Sequence, residues 1–184
     1  NKGMYFDFGA YHPIKYSLTY LLYQIGWRGV NVDANTHSIE LFKKHRPDDK
    51  NICALVSDNN NKARYVSFRE GAYNTCNEQA IQTLIKRECA EFDVIDDKIL
   101  DCTTPNELLN HYVGSRKLDY INIDLEGIDE KILYAIDLYK YRPKVITIEI
   151  NLKTATSKNF TAFLSDNNYD IVGFYKETTI LKSL

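Results

Sequence analysis

Strand-like and helix-like segments alternate along almost the whole chain of 184 residues, and this alternation constrains the fold more than any other feature. Short apolar runs that end in Gly or Asp are followed by segments whose apolar residues recur every three to four positions. Parallel strands need long crossover connections, so this order predicts a parallel sheet with helices on both faces. We therefore expect one α/β domain over residues 1–184 with a doubly wound sheet.

The predicted elements follow from apolar spacing and from helix-start signals. Strands are predicted at 4–8, 29–33, 51–56, 118–124 and 143–150, and helices at 14–25, 36–45, from 128 and at 158–166. Thr104, Pro105 and Glu107 form a reciprocal capping pattern, which predicts another helix start. Runs 169–175 and 178–184 are close enough for a hairpin, so we expect one antiparallel C-terminal strand.

The alternation weakens between about residues 59 and 98, and we interpret this segment as an insertion over the sheet. It contains a strand-like run at 63–68 and a polar, turn-rich stretch at 69–77. The chain begins at Asn1 and reaches its first strand almost at once. We therefore expect an upstream segment, and the chain could be one domain of a larger protein.

Charge and composition exclude several classes of protein. Lys and Arg number 23 against 25 Asp and Glu, so there is no overall positive field to attract nucleic acid. No apolar stretch approaches the roughly 18 residues of a membrane span, and no signal peptide is recognisable, so we expect a cytoplasmic protein. The four cysteines form no CxxC pair, which predicts reduced thiols rather than a zinc site.

The predicted strands end in polar or acidic residues. In open α/β sheets, ligands bind beyond the carboxyl ends of the strands, near the point where the strand order reverses. These ends carry Asp7 with Gly9 and Ala10; Asp33; Ser57 with Asp58; Asp124 with Glu126 and Gly127; and Glu149 with Asn151. We expect several of these side chains to meet in one binding crevice.

The first turn, DFGAYHP, has one glycine where a dinucleotide fingerprint has three. Its acidic character suits a ligand with amino and sulfonium groups, such as S-adenosylmethionine, better than a phosphate chain. Asp33 is placed to accept hydrogen bonds from ribose hydroxyls, or alternatively to cap the following helix. Ser57 and Asp58 could flank adenine or simply end a strand.

Asp124 and Glu126 are separated by one residue, so on an extended strand both would point to the same side. They could share a proton, contact substrate hydroxyls and a sulfonium, or bind a divalent cation together with Glu149. One of them could instead cap the next helix. We do not favour the cation and predict no metal site. His12, in the first turn, is a candidate proton acceptor, although loop histidines are more often bonded locally.

Several segments, in order and with matching spacing over residues 4–151, resemble those of FkbM-type methyltransferases: DFGAYHP, GWRGVNVDAN, KKHRPDD, INIDLEG and RPKVITIEI. The resemblance implies a class I methyltransferase fold, S-adenosylmethionine as cofactor and methyl transfer to oxygen on sugars, glycans or natural products. It implies these roles: Asp7, Gly9 and Ala10 at the methionine part, Asp33 at the ribose, Ser57 and Asp58 at the adenine, and Asp124 at the catalytic edge. Glu126 and Gly127 complete the family signature. Ser17, Tyr11 and Ala34 fall in the matching segments and join the cofactor-binding candidates, although family members more often have a smaller polar residue and Pro at the last two positions.

The sequence thus predicts an S-adenosylmethionine-dependent O-methyltransferase with Asp124 as general base and Glu126 or His12 as substitutes. The acceptor would be a small molecule or glycan, selected by the 59–98 insertion. The alternative is a catalytically inactive cofactor-binding module of a larger glycan-assembly protein. Nucleic-acid amino-methyltransferases are disfavoured, because INIDLEG stands where they have Pro-Pro-aromatic.

Overall fold

The structure is a computed structural model that describes residues 2–184. Its strands are β1 (Met4–Phe8), β2 (Arg28–Asp33), β3 (Lys50–Cys53), β4 (Leu55–Val56), β5 (Lys62–Phe68), β6 (Val94–Thr103), β7 (Tyr120–Ile123), β8 (Val145–Glu149), β9 (Tyr169–Tyr175) and β10 (Thr178–Ser183). Its α-helices are α1 (Tyr20–Gln24), α2 (Thr36–His45), α3 (Glu78–Ile85), α4 (Pro105–Tyr112), α5 (Asp129–Ala135), α6 (Leu138–Tyr141), α7 (Leu152–Ala155) and α8 (Lys158–Asp166). Short 3-10 helices lie at Gly71–Tyr73 and Ala90–Phe92.

Seven strands form the main sheet in the order β3-β2-β1-β7-β8-β10-β9. Strands β3, β2, β1, β7 and β8 are parallel, and β10 runs antiparallel to both of its neighbours. An α/β fold with a mostly parallel sheet, as the sequence predicted, is therefore confirmed. The strand order reverses between β1 and β7, which places the expected ligand crevice at the carboxyl ends of these two strands.

The two faces of the sheet differ in chemistry because side chains alternate along each strand. Phe6, Phe8, Ile121 and Ile123 are fully buried and belong to the main apolar core, which also includes residues of α4, α5 and α8. The intervening Asp7 is buried on the other face. Burial of each large apolar side chain contributes about 1.5–3 kcal/mol, so this core holds the strand ends in fixed register.

The segment predicted as an insertion supplies most of a second, three-stranded sheet in the order β4-β6-β5. Strands β5 and β6 pair in antiparallel fashion, and α3 packs on them through a small core of Val66, Phe68, Ile81 and Leu84. The predicted strand at 63–68 corresponds to β5. The predicted strand at 51–56 is divided between the two sheets, because the chain leaves the main sheet at Ala54.

The predicted helix at 14–25 is much shorter in the structure, where α1 spans only Tyr20–Gln24. The imidazole Nδ1 of His12 accepts hydrogen bonds from the backbone N–H groups of Ile14 and Lys15, which fixes a turn instead. Tyr16 follows with a φ of 57°, a value that no α-helix contains. By contrast, α8 has its predicted bounds, and Thr104 forms the predicted capping box.

None of the helices within residues 2–184 has both the length and the apolar character needed to cross a membrane. The four cysteines are free thiols. Cys102 is buried, whereas Cys53 and Cys89 are exposed, so a packing role for the thiol is supported at Cys102 and not at those two positions.

Candidate functional site

A cavity opens at the carboxyl ends of β1, β2 and β7, where the strand order reverses. Most of the predicted site residues line it: Asp7, Gly9, Ala10, Tyr11, Ser17, Asp33, Ala34, Asp124 and Glu126. Further lining residues that sequence reasoning did not single out are Leu55, Val56, Tyr65, Gly71, Asn74, Thr75 and Cys76. The single crevice expected from the strand ends is therefore present.

The first turn is held tightly against both neighbouring strands. The N–H groups of Gly9 and Ala10 both donate to the Val32 carbonyl, at 2.9 and 3.0 Å, and the Asp124 N–H donates to the Phe8 carbonyl at 2.9 Å. Gly9 has a φ of 82°, which favours glycine. This turn therefore brings the ends of β1, β2 and β7 together as one floor of the cavity.

Asp33 is fixed by backbone donors at the end of β2. One carboxylate oxygen accepts from the N–H of Tyr11 at 2.8 Å, and the other accepts from the N–H of Asn35 at 2.7 Å. Burial raises the pKa of Asp33 to about 6, although these two hydrogen bonds lower it. Asn35, whose side chain accepts from the His37 N–H, is the cap of α2, so the alternative of Asp33 as the helix cap is wrong.

Asp7 lies beneath the cavity floor and is satisfied by protein groups. It is 1% exposed, and its two oxygens accept hydrogen bonds from Thr19 Oγ1 at 2.7 Å and Asn122 Nδ2 at 2.9 Å. The assignment of Asp7 to the methionine part stays a prediction: Asp7 lines the cavity, but each of its carboxylate oxygens already accepts a hydrogen bond from the protein.

A fully buried arginine, Arg46, binds the same Thr19 hydroxyl group that donates to Asp7. Arg46, in the motif KKHRPDD, donates from Nη1 to Thr19 Oγ1 at 2.8 Å and from Nη2 to Ser17 Oγ at 2.7 Å. Nη2 also donates to the Pro13 carbonyl. Sequence reasoning missed this role, because the motif KKHRPDD gives no sign that the Arg46 charge is buried.

Three carboxylates lie close together, with one oxygen each of Asp124, Glu126 and Glu149 within 4.8 Å of the others. Asp124 and Glu126 line the cavity, and Glu149 lies beside them. Strand periodicity does not bring the first two together, because β7 ends at Ile123 and Glu126 has a φ of 53° in the following loop. Asp129 shapes that loop by accepting from the N–H groups of Leu125 at 2.6 Å and Gly127 at 2.9 Å. Neither Asp124 nor Glu126 caps α5, so that alternative is wrong.

Crowding of negative charge sets the electrostatics of this trio. Asp124 is reached by solvent through the cavity but is surrounded by protein on its other sides, and desolvation together with Glu149 and Glu126 raises its pKa strongly. Desolvation and the charge of Glu149 raise the pKa of Glu126 to about 8. Desolvation also raises the pKa of Glu149. Burial and mutual repulsion therefore both favour the protonated form of these carboxyl groups.

Comparison with known families supplies the decisive observation: the chain matches the family described as methyltransferase FkbM domain over residues 7–171. The chain belongs to the FkbM methyltransferase family. The match runs from Asp7 near the end of β1 to Ile171 in the first half of β9, and it includes every residue that lines the cavity. Comparison with curated proteins and with solved structures finds no match.

In this FkbM family member, the small sheet forms one wall of the cavity. Tyr11 Oη donates to Glu70 Oε1 at 2.7 Å, and Thr75 Oγ1 donates to the Glu126 carbonyl at 2.8 Å. Asn77 Nδ2 donates to the Gly127 carbonyl at 2.6 Å. These contacts join residues 50 to 59 positions apart, which is why local sequence patterns gave no sign of them.

Three predicted site residues lie outside the main cavity. Ser57 and Asp58 line a separate cavity, since β4 diverges from the main sheet and the Ser57 N–H pairs with the Thr103 carbonyl. The wall of the main cavity nearest this point is apolar, with Leu55 and Val56. His12 is also not among the residues that line the main cavity in the described part of the chain.

The oxygen donors of the acidic trio are those that hard divalent cations prefer. The same arrangement also suits a positively charged organic group or a shared proton. The earlier preference against a metal thus stays a prediction.

Proposed function

We propose that this FkbM family member uses S-adenosylmethionine to methylate a hydroxyl group of a sugar, glycan or natural product. The observation that carries the proposal is the meeting of Asp33, Asp124 and Glu126 in one cavity at the point where strand order reverses, with Glu149 beside the last two. The reversed strand β10, inserted between β8 and β9, supports it, because a late hairpin of this kind is typical of methyltransferase sheets.

The cavity offers a suitable partner to each part of this cofactor. Asp33 has acceptor capacity beyond the two backbone N–H groups that it binds, which suits a pair of ribose hydroxyls. Leu55 and Val56 offer an apolar wall to an adenine ring. Gly9 lets the backbone approach the ligand closely, and the cavity has no glycine-rich phosphate cradle of the dinucleotide type.

When bound, the cofactor supplies a methyl group already activated by a sulfonium, so the protein needs to align the acceptor and remove its proton. Alignment can lower the barrier by about 7–11 kcal/mol. Asp124 is the proposed proton acceptor, with Glu126 and Glu149 as its neighbours. A positive charge near the trio lowers the pKa of these carboxylates and so favours the ionised form that a base requires.

Which acceptor is methylated would depend on the wall formed by the small sheet, including Gly71, Asn74 and Thr75. A small molecule or glycan fits this description better than nucleic acid, because the chain has no excess of positive charge. Four free thiols support action in a reducing compartment such as the cytoplasm.

A thermal-shift titration with S-adenosylmethionine and NAD tests the cofactor. At 100 times its dissociation constant, a ligand adds about 2.7 kcal/mol to the free energy of unfolding. We expect S-adenosylmethionine to stabilise the protein and NAD to have no effect. Stabilisation by NAD and not by S-adenosylmethionine would contradict the proposal. Incubation with methyl-labelled cofactor and host extract then tests transfer, and binding without any labelled product would favour the inactive cofactor-binding module.

A further inference from the structure

Arg46 stands out because burying it is costly and the cavity does not contact it directly. Its side chain is fully buried at the C-terminal end of α2, and its Nε has no hydrogen-bond partner among residues 2–184. A buried guanidinium with an unpaired N–H loses more solvation than a purely packing residue at the same position. Such a cost points to a role in shaping a site.

The hydrogen bonds of Arg46 fix the polarity of two hydroxyl groups. A guanidinium has donors only, so Ser17 and Thr19 must both accept from it. Thr19 has a single proton, which it donates to the carboxylate of Asp7 at 2.7 Å. Ser17 and Thr19 are 3.2 Å apart, and Ser17 lines the cavity. Because Thr19 gives its proton to Asp7, Ser17 is the donor in the 3.2 Å hydrogen bond between the two hydroxyls. That bond is long, so the Ser17 proton is the one hydroxyl proton of this network that a stronger acceptor in the cavity can take over.

We propose that Arg46 is a positioning residue that makes Ser17 a hydrogen-bond donor toward the carboxylate of the cofactor's amino-acid part. This inference rests on the proposed function. The Arg46 guanidinium has no acceptor atom, and it donates a hydrogen bond to Ser17 Oγ. The Ser17 hydroxyl proton therefore points away from Arg46 and can be donated to another acceptor. A carboxylate is the strongest such acceptor in S-adenosylmethionine.

The test compares two probes that differ only in that carboxylate, S-adenosylmethionine and decarboxylated S-adenosylmethionine. The dissociation constant of each is measured by calorimetry for the unmodified protein, Arg46→Lys and Ser17→Ala. Lysine keeps the charge but lacks the fork that reaches both hydroxyls. Arg28→Lys is the matched control, since Arg28 lies at the opposite end of β2 with an exposed side chain.

We expect both variants to weaken binding of S-adenosylmethionine on the order of tenfold, the effect of one lost charge-assisted hydrogen bond. Binding of the decarboxylated probe should change less than twofold, and Arg28→Lys should change neither. Should Arg46→Lys fail to fold, Ser17→Ala carries the test alone, because Ser17 is only partly buried.

Equal losses for the two probes, or an unchanged ratio of their dissociation constants, would overturn the inference and leave the proposed function standing. If the unmodified protein binds neither probe, the proposed function fails, and this inference fails with it.

Discussion

Gly9 lies so close to the backbone of Asp124 that a Cβ atom on Gly9 would come within 1.6 Å of the Asp124 carbonyl oxygen. The first turn therefore packs directly against the end of β7, and the position of the proposed base depends on the absence of a side chain at Gly9, 115 residues away in the sequence. Backbone packing thus fixes the first turn against the residue that we propose as the base.

Gly9→Ala should destabilise the protein severely. The φ of 82° adds strain of about 1–2 kcal/mol for a residue with a Cβ, and the backbone clash requires further movement of Asp124. We expect a total loss above about 2 kcal/mol in the free energy of unfolding, measured by urea denaturation. Gly173→Ala is the control, because its new Cβ would be 3.7 Å from Ile180 and should be tolerated. Equal stability of the two variants would contradict the close approach.

Asp124→Asn should retain S-adenosylmethionine binding and lose most turnover. A general base contributes about 100-fold to 10,000-fold, so we expect kcat to fall by at least about 100-fold. The measurement is transfer of labelled methyl to the acceptor once it is identified. Asp58→Asn is the matched control, because Asp58 lies in a different cavity. Full activity of Asp124→Asn would remove Asp124 from the mechanism.

The proposed activity should depend on pH through the acidic trio. The base must be ionised, whereas desolvation and mutual repulsion raise the pKa values of Asp124, Glu126 and Glu149 in the free protein. We expect kcat/KM, which reports groups of the free enzyme, to rise with pH toward about 9, the value to which desolvation and the neighbouring carboxylates raise the pKa of the proposed base Asp124.

Glu149→Gln provides the second part of that test. It removes a negative charge that raises the pKa of Asp124, so the rising limb should move to lower pH. A profile that is flat from pH 6 to 9, or one that Glu149→Gln leaves in place, would argue against a shared titration of the trio.

Stability of the ligand-free protein should show the opposite trend with pH. Carboxyl groups whose folded pKa is raised stabilise the fold fully below their unfolded pKa, near 4, and this contribution is lost as pH rises through the folded value. The melting temperature should therefore fall between about pH 4 and pH 9. At pH 8, Asp124→Asn should melt about 2–4 °C higher, as ~1 kcal/mol would produce, since solvent screens part of the repulsion. A lower melting temperature for that variant would contradict this account.

Thr75→Val should release the small sheet from the main sheet. The Thr75 hydroxyl is buried and donates to the Glu126 carbonyl, so its loss should cost about 1–3 kcal/mol and speed amide exchange in α3. Thr83→Val is the control, because the exposed Thr83 side chain donates only to the Gln79 carbonyl within α3. Unchanged exchange in α3 would show that this contact does not hold the cavity wall.

The order of strands and helices, the capping box at Thr104 and the terminal hairpin followed from the sequence, because apolar periodicity, caps and short connections act over a few residues. The family and most of the cavity floor followed as well, since parallel strand ends necessarily meet at one edge. Long-range contacts decided the rest. The turn fixed by His12, the departure of β4 that carries Asp58 away from the cavity, the loop that brings Glu126 beside Glu149, and the buried Arg46 behind Ser17 all depend on atoms that only the folded chain brings together.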